Sequence, residues 1–344
     1  METRNIIVIG ASAGGFEALK RLVAGFPKDF AASIFIVWHM SPDVTGILPQ
    51  VLAKAGPLPA ANAVDGEPIA PGRIRVAPPD HHLVLEHERV RVAKGPKENR
   101  FRPAVDPLFR SAAYVYGRRV IGVVLTGALD DGTSGLWLIK HSGGTAVVQN
   151  PDDAEESSMP LNAMRAVKVD HVAPISEMAD LLVALAREPL GEAAAVMEKD
   201  KLTELEIKIA VEDNSFEEGI MNFGDLSPYT CPDCHGVMIR LRDGKRERFR
   251  CHTGHAFSAD SLLATITDNI EQSLWNAVRG IEESVMLLNQ MGNYYANRGK
   301  LDLSVLYFKK AHEAEDRARL VRQAVLKNER LSKASLREQA ADNE

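Results

Sequence analysis

A short apolar run that leads into a glycine-rich turn constrains the fold of the N-terminal half. Residues 6–9 are Ile-Ile-Val-Ile, and an apolar run this short is typical of a buried strand. The glycine-rich turn then enters a helix-compatible stretch over 16–23. This order puts Ser12 at the carboxyl end of the strand, where backbone N–H groups at the start of the helix face any bound group.

Three interpretations of this turn are open. The spacing Gly10-x-Ser12-x-Gly14 fits a nucleophile elbow, which needs a histidine base and an acid to orient that base. Gly10-x-Ser12-x-x-Gly15 also resembles a dinucleotide fingerprint, but serine replaces the glycine that lets the backbone approach a pyrophosphate. The third interpretation is a turn with a structural role alone.

The segment 1–188 alternates strand and helix patterns, which predicts an α/β fold with a doubly wound, mostly parallel sheet in three α/β/α layers. Strands are predicted at 6–9, 34–38, 120–125 and 146–148, and helices at 16–24, 106–116, 134–141 and 176–186. Shorter apolar runs at 74–76, 83–85 and 90–92 predict a hairpin insertion. In such sheets the ligand site lies beyond the carboxyl ends of the strands.

Polar residues follow two further predicted strands at that edge. His39 comes directly after the second strand, and Asp130 and Asp131 follow the third. Each signal has a structural alternative, because histidines at strand ends are often structural and aspartates beside glycine are ordinary turn residues. Together with Ser12 they predict a Ser-His-Asp constellation, in an order that differs from the Ser-Asp-His order of the α/β-hydrolases.

Several motifs in chain order resemble the catalytic domain of the chemotaxis protein-glutamate methylesterases, the CheB family, over residues 4–187. They are Gly10-Ala11-Ser12-Ala13-Gly14-Gly15, Trp38-His39-Met40, Ala77-Pro78-Pro79-Asp80-His81-His82-Leu83, Arg102-Pro103-Ala104-Val105-Asp106-x-Leu108-Phe109, Leu125-Thr126-Gly127-x-x-x-Asp131-Gly132, Gln149-Asn150-Pro151 and Met159-Pro160. The resemblance implies that Ser12 is the nucleophile, His39 the general base and Asp131 the orienting acid. The chemistry of the residues alone leaves Asp130 and Asp131 open.

The resemblance also implies the reaction. It is hydrolysis of γ-glutamyl methyl esters on the cytoplasmic helices of chemoreceptors, with deamidation of glutamine as a related activity and no organic cofactor. Arg102 is then either a contact to acidic receptor helices or a solvated surface charge. Two other functions are kept as alternatives: a regulatory adaptor with a residual active site, and a small-molecule carboxylesterase.

The best-known family members carry an N-terminal receiver domain. This sequence begins with the catalytic strand, so we expect a stand-alone form in which phosphorylation of a receiver domain cannot relieve inhibition in cis.

Composition agrees with a globular protein, since 45% of residues are hydrophobic and 26% charged. The absence of a signal-peptide pattern and of a membrane-length apolar run predicts a cytoplasmic location. The net charge of −6 argues against nucleic acid as a partner.

The three cysteines of the chain are clustered between positions 231 and 251. Cys231-x₂-Cys234 and Cys251-x₃-His255 are separated by sixteen residues, and four such ligands suit structural zinc in a ribbon. Asp243-Gly244 predicts the hairpin turn of that ribbon. His252 or His235 could replace His255 as the fourth ligand. The other interpretation is three unrelated thiols.

We expect four segments: a catalytic domain over 1–188, a linker with an amphipathic helix over 189–226, a zinc-ribbon-like module over 227–258 and a helical hairpin over 259–335. Apolar residues recur at helical spacing in the last segment. Three roles are open for the hairpin: homodimerisation, binding of a chemosensory partner, and packing on the catalytic domain.

Overall fold

The computed structural model describes residues 3–40, 46–191, 200–212, 216–217, 219–241, 247–329, 331–332, 335–336 and 339–340. The chain divides into two compact units, Met1–Ser261 and Leu262–Glu344. No helix in these ranges is both long enough and apolar enough to cross a bilayer.

A seven-stranded parallel sheet forms the centre of the first unit. Its strands are β1 (Ile6–Ala11), β2 (Ser33–Trp38), β3 (Ala60–Asn62), β4 (Arg73–Val76), β7 (Val120–Val124), β8 (Thr145–Gln149) and β9 (His171–Ala173), in the order β3-β4-β2-β1-β7-β8-β9. β1 lies in the middle and is buried along its whole length. The predicted α/β class with a mostly parallel sheet is confirmed.

Helices of the first unit follow the strands and cover both faces of the sheet. They are α1 (Gly15–Ala24), α2 (Leu48–Ala55), α3 (Val105–Tyr116), α4 (Thr133–His141), α5 (Ser158–Ala166) and α6 (Ile175–Arg187). Two apolar cores result, one on each side of the sheet. The expected helices α1, α3, α4 and α6 are present within one residue of their predicted starts.

One strand prediction was wrong. Only β5 (His82–Glu86) and β6 (Arg89–Ala93) form a hairpin, whereas the run at 74–76 belongs to β4 and pairs in parallel with β2. The alternation of Arg73, Ile74, Arg75 and Val76 resembles an exposed strand, but the Arg75 guanidinium is paired with Glu67 at 2.8 Å. That pairing lets a strand with two arginines lie near the edge of the central sheet.

A small antiparallel sheet, here called the ribbon, contains the cysteines. It consists of β10 (Gly224–Thr230), β11 (Val237–Leu241), β12 (Arg248–Cys251) and β13 (Ala256–Ser258) in sequential order. The predicted turn at Asp243-Gly244 lies outside the described residues. The ribbon is larger than the single predicted hairpin, because β10 pairs with β11 on one side and β13 pairs with β12 on the other.

The linker helix packs on the catalytic half of the first unit. α7 (Lys201–Glu212) lies against α3, β5 and β6, and it shares an apolar cluster with the ribbon. Gly95 allows this approach, since a Cβ there would come within 2.3 Å of the Ala210 carbonyl oxygen.

Five buried charges connect these elements. Arg110 of α3 and Arg250 of β12 both bond Glu98, at 2.9 and 2.8 Å. Glu206 of α7 bonds Arg248 and Arg250, at 2.9 and 2.7 Å. Burial alone raises the pKa of Glu98, but the guanidiniums of Arg110 and Arg250 outweigh it and lower the pKa to about 2.

Removing one carboxylate from this cluster is expected to destabilise the first unit. Glu98→Gln leaves buried guanidinium charge without its partner, which lowers the free energy of unfolding by about 3 kcal/mol at neutral pH. Because the folded pKa is depressed, wild-type stability from Glu98 is complete above the unfolded value of about 4.3 and is lost as pH falls toward the folded value. The variant loses that dependence.

Urea unfolding followed by tryptophan fluorescence at several pH values measures both effects. Glu17→Gln is the matched control, because Glu17 forms an exposed pair with Lys20 and its loss leaves stability near wild type. Equal stability of Glu98→Gln and wild type would contradict the prediction.

The second unit is a helical pair. α8 (Ala259–Ala296), which begins in the first unit, is followed by α9 (Leu301–Leu326), and their contacts run antiparallel: Tyr295 stacks on Tyr307, and Arg322 bonds Glu282. Gly292 permits close packing, since a Cβ there would lie 2.9 Å from the Phe308 ring. The predicted helical hairpin is confirmed.

Candidate active site

Ser12 occupies the turn between β1 and α1. Gly14 in this turn has φ +72°, a left-handed conformation that favours glycine. The Ser12 N–H donates to the Thr126 carbonyl at 3.0 Å, and Trp38 Nε1 donates to the Ser12 carbonyl at 2.9 Å. Both backbone groups of the serine are thus held, and its hydroxyl lines a cavity.

His39 follows β2 at the same edge of the sheet. Its Nδ1 lies 3.2 Å from Ser12 Oγ, and the Phe101 ring stacks on the imidazole with centroids 3.7 Å apart. The imidazole Nε2 lies 2.7 Å from Asp131 Oδ2. Because an ionised carboxylate only accepts hydrogen bonds, Nε2 carries the proton and Nδ1 is free to accept from the serine hydroxyl.

Asp131 is buried and surrounded by donors. Its Oδ2 also accepts from Val105 N at 2.6 Å, and its Oδ1 accepts from Asn99 Nδ2 at 2.9 Å and Gly132 N at 3.0 Å. Burial alone raises the pKa of Asp131, but the hydrogen bonds from His39, Val105 and Asn99 outweigh it and hold the pKa below its ordinary value. The carboxylate therefore stays ionised beside the imidazole.

The turn at Gly127 brings the third strand end close to the serine. A Cβ on Gly127 would lie 2.2 Å from Met159 Sδ and 2.7 Å from Ser12 Cβ. Gly127 N also donates to the Glu156 carbonyl at 2.9 Å. Only glycine fits at this approach.

The cavity beside Ser12 measures about 510 Å³. Its lining comes from the turn after β1, the end of β2 and the segment 97–102, which contributes Lys97, Arg100, Phe101 and Arg102. Arg102 is held by its own partners, with Nε 2.8 Å from Asp80 Oδ1 and Nη1 2.7 Å from the Gly95 carbonyl. These two contacts of Arg102 hold the segment 97–102 in place.

Three residues at the site were missed or underestimated in the sequence. Asn99 bridges Asp131 and Asp106, Phe101 covers His39, and Asp106, in the first turn of α3, is buried. Burial and the charge of Asp131 raise the pKa of Asp106 to about 7. Position in the Arg102–Phe109 motif was the only available signal for Asp106, and Asn99 lies just outside that motif.

The three cysteines and one histidine converge in the ribbon. Cys231 Sγ lies 3.7 Å from His255 Nδ1, Cys234 Sγ lies 3.7 Å from Cys251 Sγ, and Cys251 Sγ lies 3.6 Å from His255 Nδ1. All four ligand atoms are within 4.8 Å of one another, and in the described part of the chain neither His252 nor His235 joins this group. Tetrahedral zinc with Zn–S bonds of about 2.3 Å separates its ligands by about 3.8 Å, so these side chains fit the ion.

Comparison with known proteins covers the N-terminal half. The chain is 40% identical over 182 residues to protein-glutamate methylesterase/protein-glutamine glutaminase 2 of Anaeromyxobacter dehalogenans, and 37% identical over 186 residues to the protein of that name from Caulobacter vibrioides. These matches cover 53% of this chain and 53% and 54% of the two relatives.

A solved structure and a family model agree with these relatives. The crystal structure of the Thermotoga maritima CheB methylesterase catalytic domain matches with a TM-score of 0.51 and 34% identity, over 54% of this chain and all of that one. The model of the CheB methylesterase family matches residues 7–182. The expected resemblance is confirmed, and the chain belongs to the CheB methylesterase family.

Proposed function

We propose that the chain hydrolyses γ-glutamyl methyl esters on chemoreceptors and deamidates receptor glutamines by the same route. The observation that carries the proposal is the hydrogen-bonded series Ser12–His39–Asp131, with separations of 3.2 and 2.7 Å, beside a cavity that Ser12 and His39 line. The names of the relatives, which pair methylesterase and glutaminase activities, support this choice of substrate.

Acylation begins at Ser12. His39 Nδ1 accepts the hydroxyl proton as Ser12 Oγ attacks the ester carbonyl, and Asp131 stabilises the imidazolium that forms. Backbone N–H groups in the turn after Ser12 and near Ala128 hold the tetrahedral oxyanion. The imidazolium then gives its proton to the departing methoxy oxygen, which leaves as methanol.

Deacylation returns the enzyme to its starting state. His39 accepts a proton from water, the resulting hydroxide attacks the acyl-serine, and the proton passes to Ser12 Oγ as the glutamate carboxyl is released. With glutamine the leaving group is ammonia instead of methanol. The same three residues therefore serve both reactions.

We also propose that Cys231, Cys234, Cys251 and His255 hold a structural zinc ion. The near-tetrahedral separations of the four ligand atoms support this assignment. When bound, such an ion stabilises a fold too small for a core of its own. Four protein ligands leave no open position, so the metal has no part in the ester chemistry.

The purified chain is expected to contain about one zinc per molecule by mass spectrometry of metals. His255→Ala lowers that content and the melting temperature, because three remaining ligands bind the ion more weakly. His252→Ala is the matched control and retains the metal. Loss of zinc from His252→Ala with retention in His255→Ala would contradict the ligand set.

Methanol release from methylated receptor membranes of the source organism tests the proposed enzyme activity. We expect release that depends on the chain and on Ser12. Hydrolysis of a generic ester with no release from receptor would support a small-molecule carboxylesterase. Absence of both activities would support a regulatory adaptor.

A further inference from the structure

The segment 97–102 connects the active site with the ribbon. One side of it lines the cavity beside Ser12, and Phe101 stacks on His39. The other side pairs with β13, since Asn99 N donates to the Ala256 carbonyl at 2.8 Å and Ala256 N donates to the Lys97 carbonyl at 3.1 Å. The ribbon therefore contributes a strand-like partner to a segment of the site.

Asn99 is the residue in this segment that contacts both sides. Its Nδ2 donates to Asp131 Oδ1 at 2.9 Å and to Asp106 Oδ2 at 3.0 Å. Its Oδ1 accepts from Ser258 N at 2.9 Å and from Ser261 Oγ at 3.0 Å. Because the ionised Asp131 carboxylate only accepts and the Ser258 backbone N–H only donates, these two partners fix the orientation of the Asn99 amide.

The backbone at this point is held from outside the catalytic half. Asn99 has φ +48°, which asparagine adopts more readily than most residues, and Arg100 has φ +81°, which is uncommon for a residue other than glycine. Glu98, the residue before Asn99, bonds Arg250, which is fully buried and lies next to Cys251. Arg250 Nη1 also bonds the Gly254 carbonyl at 2.7 Å, beside His255.

A second contact from the ribbon end reaches the loop that carries Asp131. Ser258 Oγ donates to Asp130 Oδ1 at 2.6 Å, and Ser261 N donates to Ser258 Oγ at 3.0 Å. Two consecutive aspartates are thus each connected to the turn 258–261, one directly and one through Asn99. These contacts all lie within the first unit.

We propose that Asn99 is a positioning residue for Asp131, and that Ser258 at the end of the ribbon and Ser261 in the first turn of α8 complete the active site by orienting Asn99. The ribbon is then an integral part of the catalytic apparatus of this chain. This inference rests on the proposed Ser12–His39–Asp131 function. It specifies that the C-terminal extension supports turnover through its contact with Asn99.

A double-mutant cycle separates this role from a general contribution to stability. Asn99→Ala lowers kcat for ester hydrolysis about 100-fold with KM nearly unchanged, because Asp131 and His39 lose their alignment. Ser261→Ala lowers kcat about fivefold, the scale of one hydrogen bond. In the Asn99→Ala background, Ser261→Ala changes kcat by less than about 1.5-fold, since it acts through the missing amide. Ser273→Ala, an exposed α8 serine bonded to the Asn269 carbonyl, is the matched control.

A spectroscopic readout needs no substrate. In the full chain with ¹⁵N-labelled histidine, the proton on His39 Nε2 gives a downfield resonance because it is bonded to Asp131. We expect Ser261→Ala to shift or broaden it and Ser273→Ala to leave it unchanged. This measurement still decides the proposal if Asn99→Ala does not fold, and if the chain releases no methanol.

Two results would overturn the proposal. One is a Ser261→Ala variant with wild-type kcat and an unshifted His39 resonance. The other is an equal loss from Ser261→Ala in both backgrounds, which is the additive behaviour of an independent structural contact.

Discussion

Ser12→Ala is expected to abolish methanol release from methylated receptor, with a loss in kcat of about 10⁴-fold or more. The alanine lacks the hydroxyl that His39 Nδ1 faces at 3.2 Å, so no acyl-enzyme forms. The fold is retained, because the contacts of Ser12 with Thr126 and Trp38 are made by its backbone. Methanol release and circular dichroism measure the two parts of this prediction.

A fluorophosphonate probe provides an independent check on the nucleophile. It labels Ser12 in the wild-type chain and leaves Ser12→Ala unlabelled, whereas Ser284→Ala, an exposed α8 serine, is labelled like wild type. Methanol release by Ser12→Ala at more than a few per cent of the wild-type rate would remove Ser12 from the mechanism.

Asp131→Asn is expected to lower kcat by about 10⁴-fold, the scale seen when the orienting acid of a serine triad becomes an amide. Donors surround both oxygens of this carboxylate, including His39 Nε2 and Val105 N on Oδ2. If the amide nitrogen takes the Oδ2 position, it faces His39 Nε2 and favours the tautomer protonated at Nδ1. That tautomer cannot accept the Ser12 proton.

Asp130→Asn is the matched control for this prediction. Asp130 is adjacent in sequence, but its carboxylate accepts a hydrogen bond from Ser258 Oγ, whereas His39 Nε2 lies against Asp131. An amide oxygen still accepts that hydrogen bond, so we expect kcat within about threefold of wild type. A larger loss in Asp130→Asn than in Asp131→Asn would reverse the roles of the two residues.

The proposed contact between the ribbon and Asn99 gives the C-terminal extension a role in supporting the active site. The residues that line the cavity in the described part of the chain belong to the catalytic half, whereas the ribbon contacts the opposite side of segment 97–102. Zinc loss through His255→Ala and misalignment through Ser261→Ala are thus expected to affect the same segment. Measuring both metal content and the His39 resonance in His255→Ala and Ser261→Ala would show whether loss of zinc also changes the alignment of His39.

Local pattern was enough to predict the central elements. β1, the turn at Ser12 and α1 follow from an apolar run, glycine spacing and helical periodicity, and all three are properties of neighbouring residues. The positions of Ser12 and His39 at one sheet edge follow from the geometry of parallel strands. The cysteine spacing likewise predicted the convergence of four ligand atoms, because Cys-x₂-Cys and Cys-x₃-His pairs are each short enough to turn onto one ion.

The family motif already implied Asp131 rather than Asp130, and the structure places Asp131 against His39, 92 positions away. Only the tertiary structure showed which other distant residues support the site: Asn99 meets Ser261 across 162 positions, and Glu98 meets Arg250 across 152. Asn, Glu and Arg occur most often on solvated surfaces, so only burial with mutual pairing reveals them as internal contacts. The sequence by itself thus determined the strands, the turns and the spacing of the metal ligands. The support of the active site was decided only in the folded chain, because it depends on charged side chains buried between the catalytic half, α7 and the ribbon.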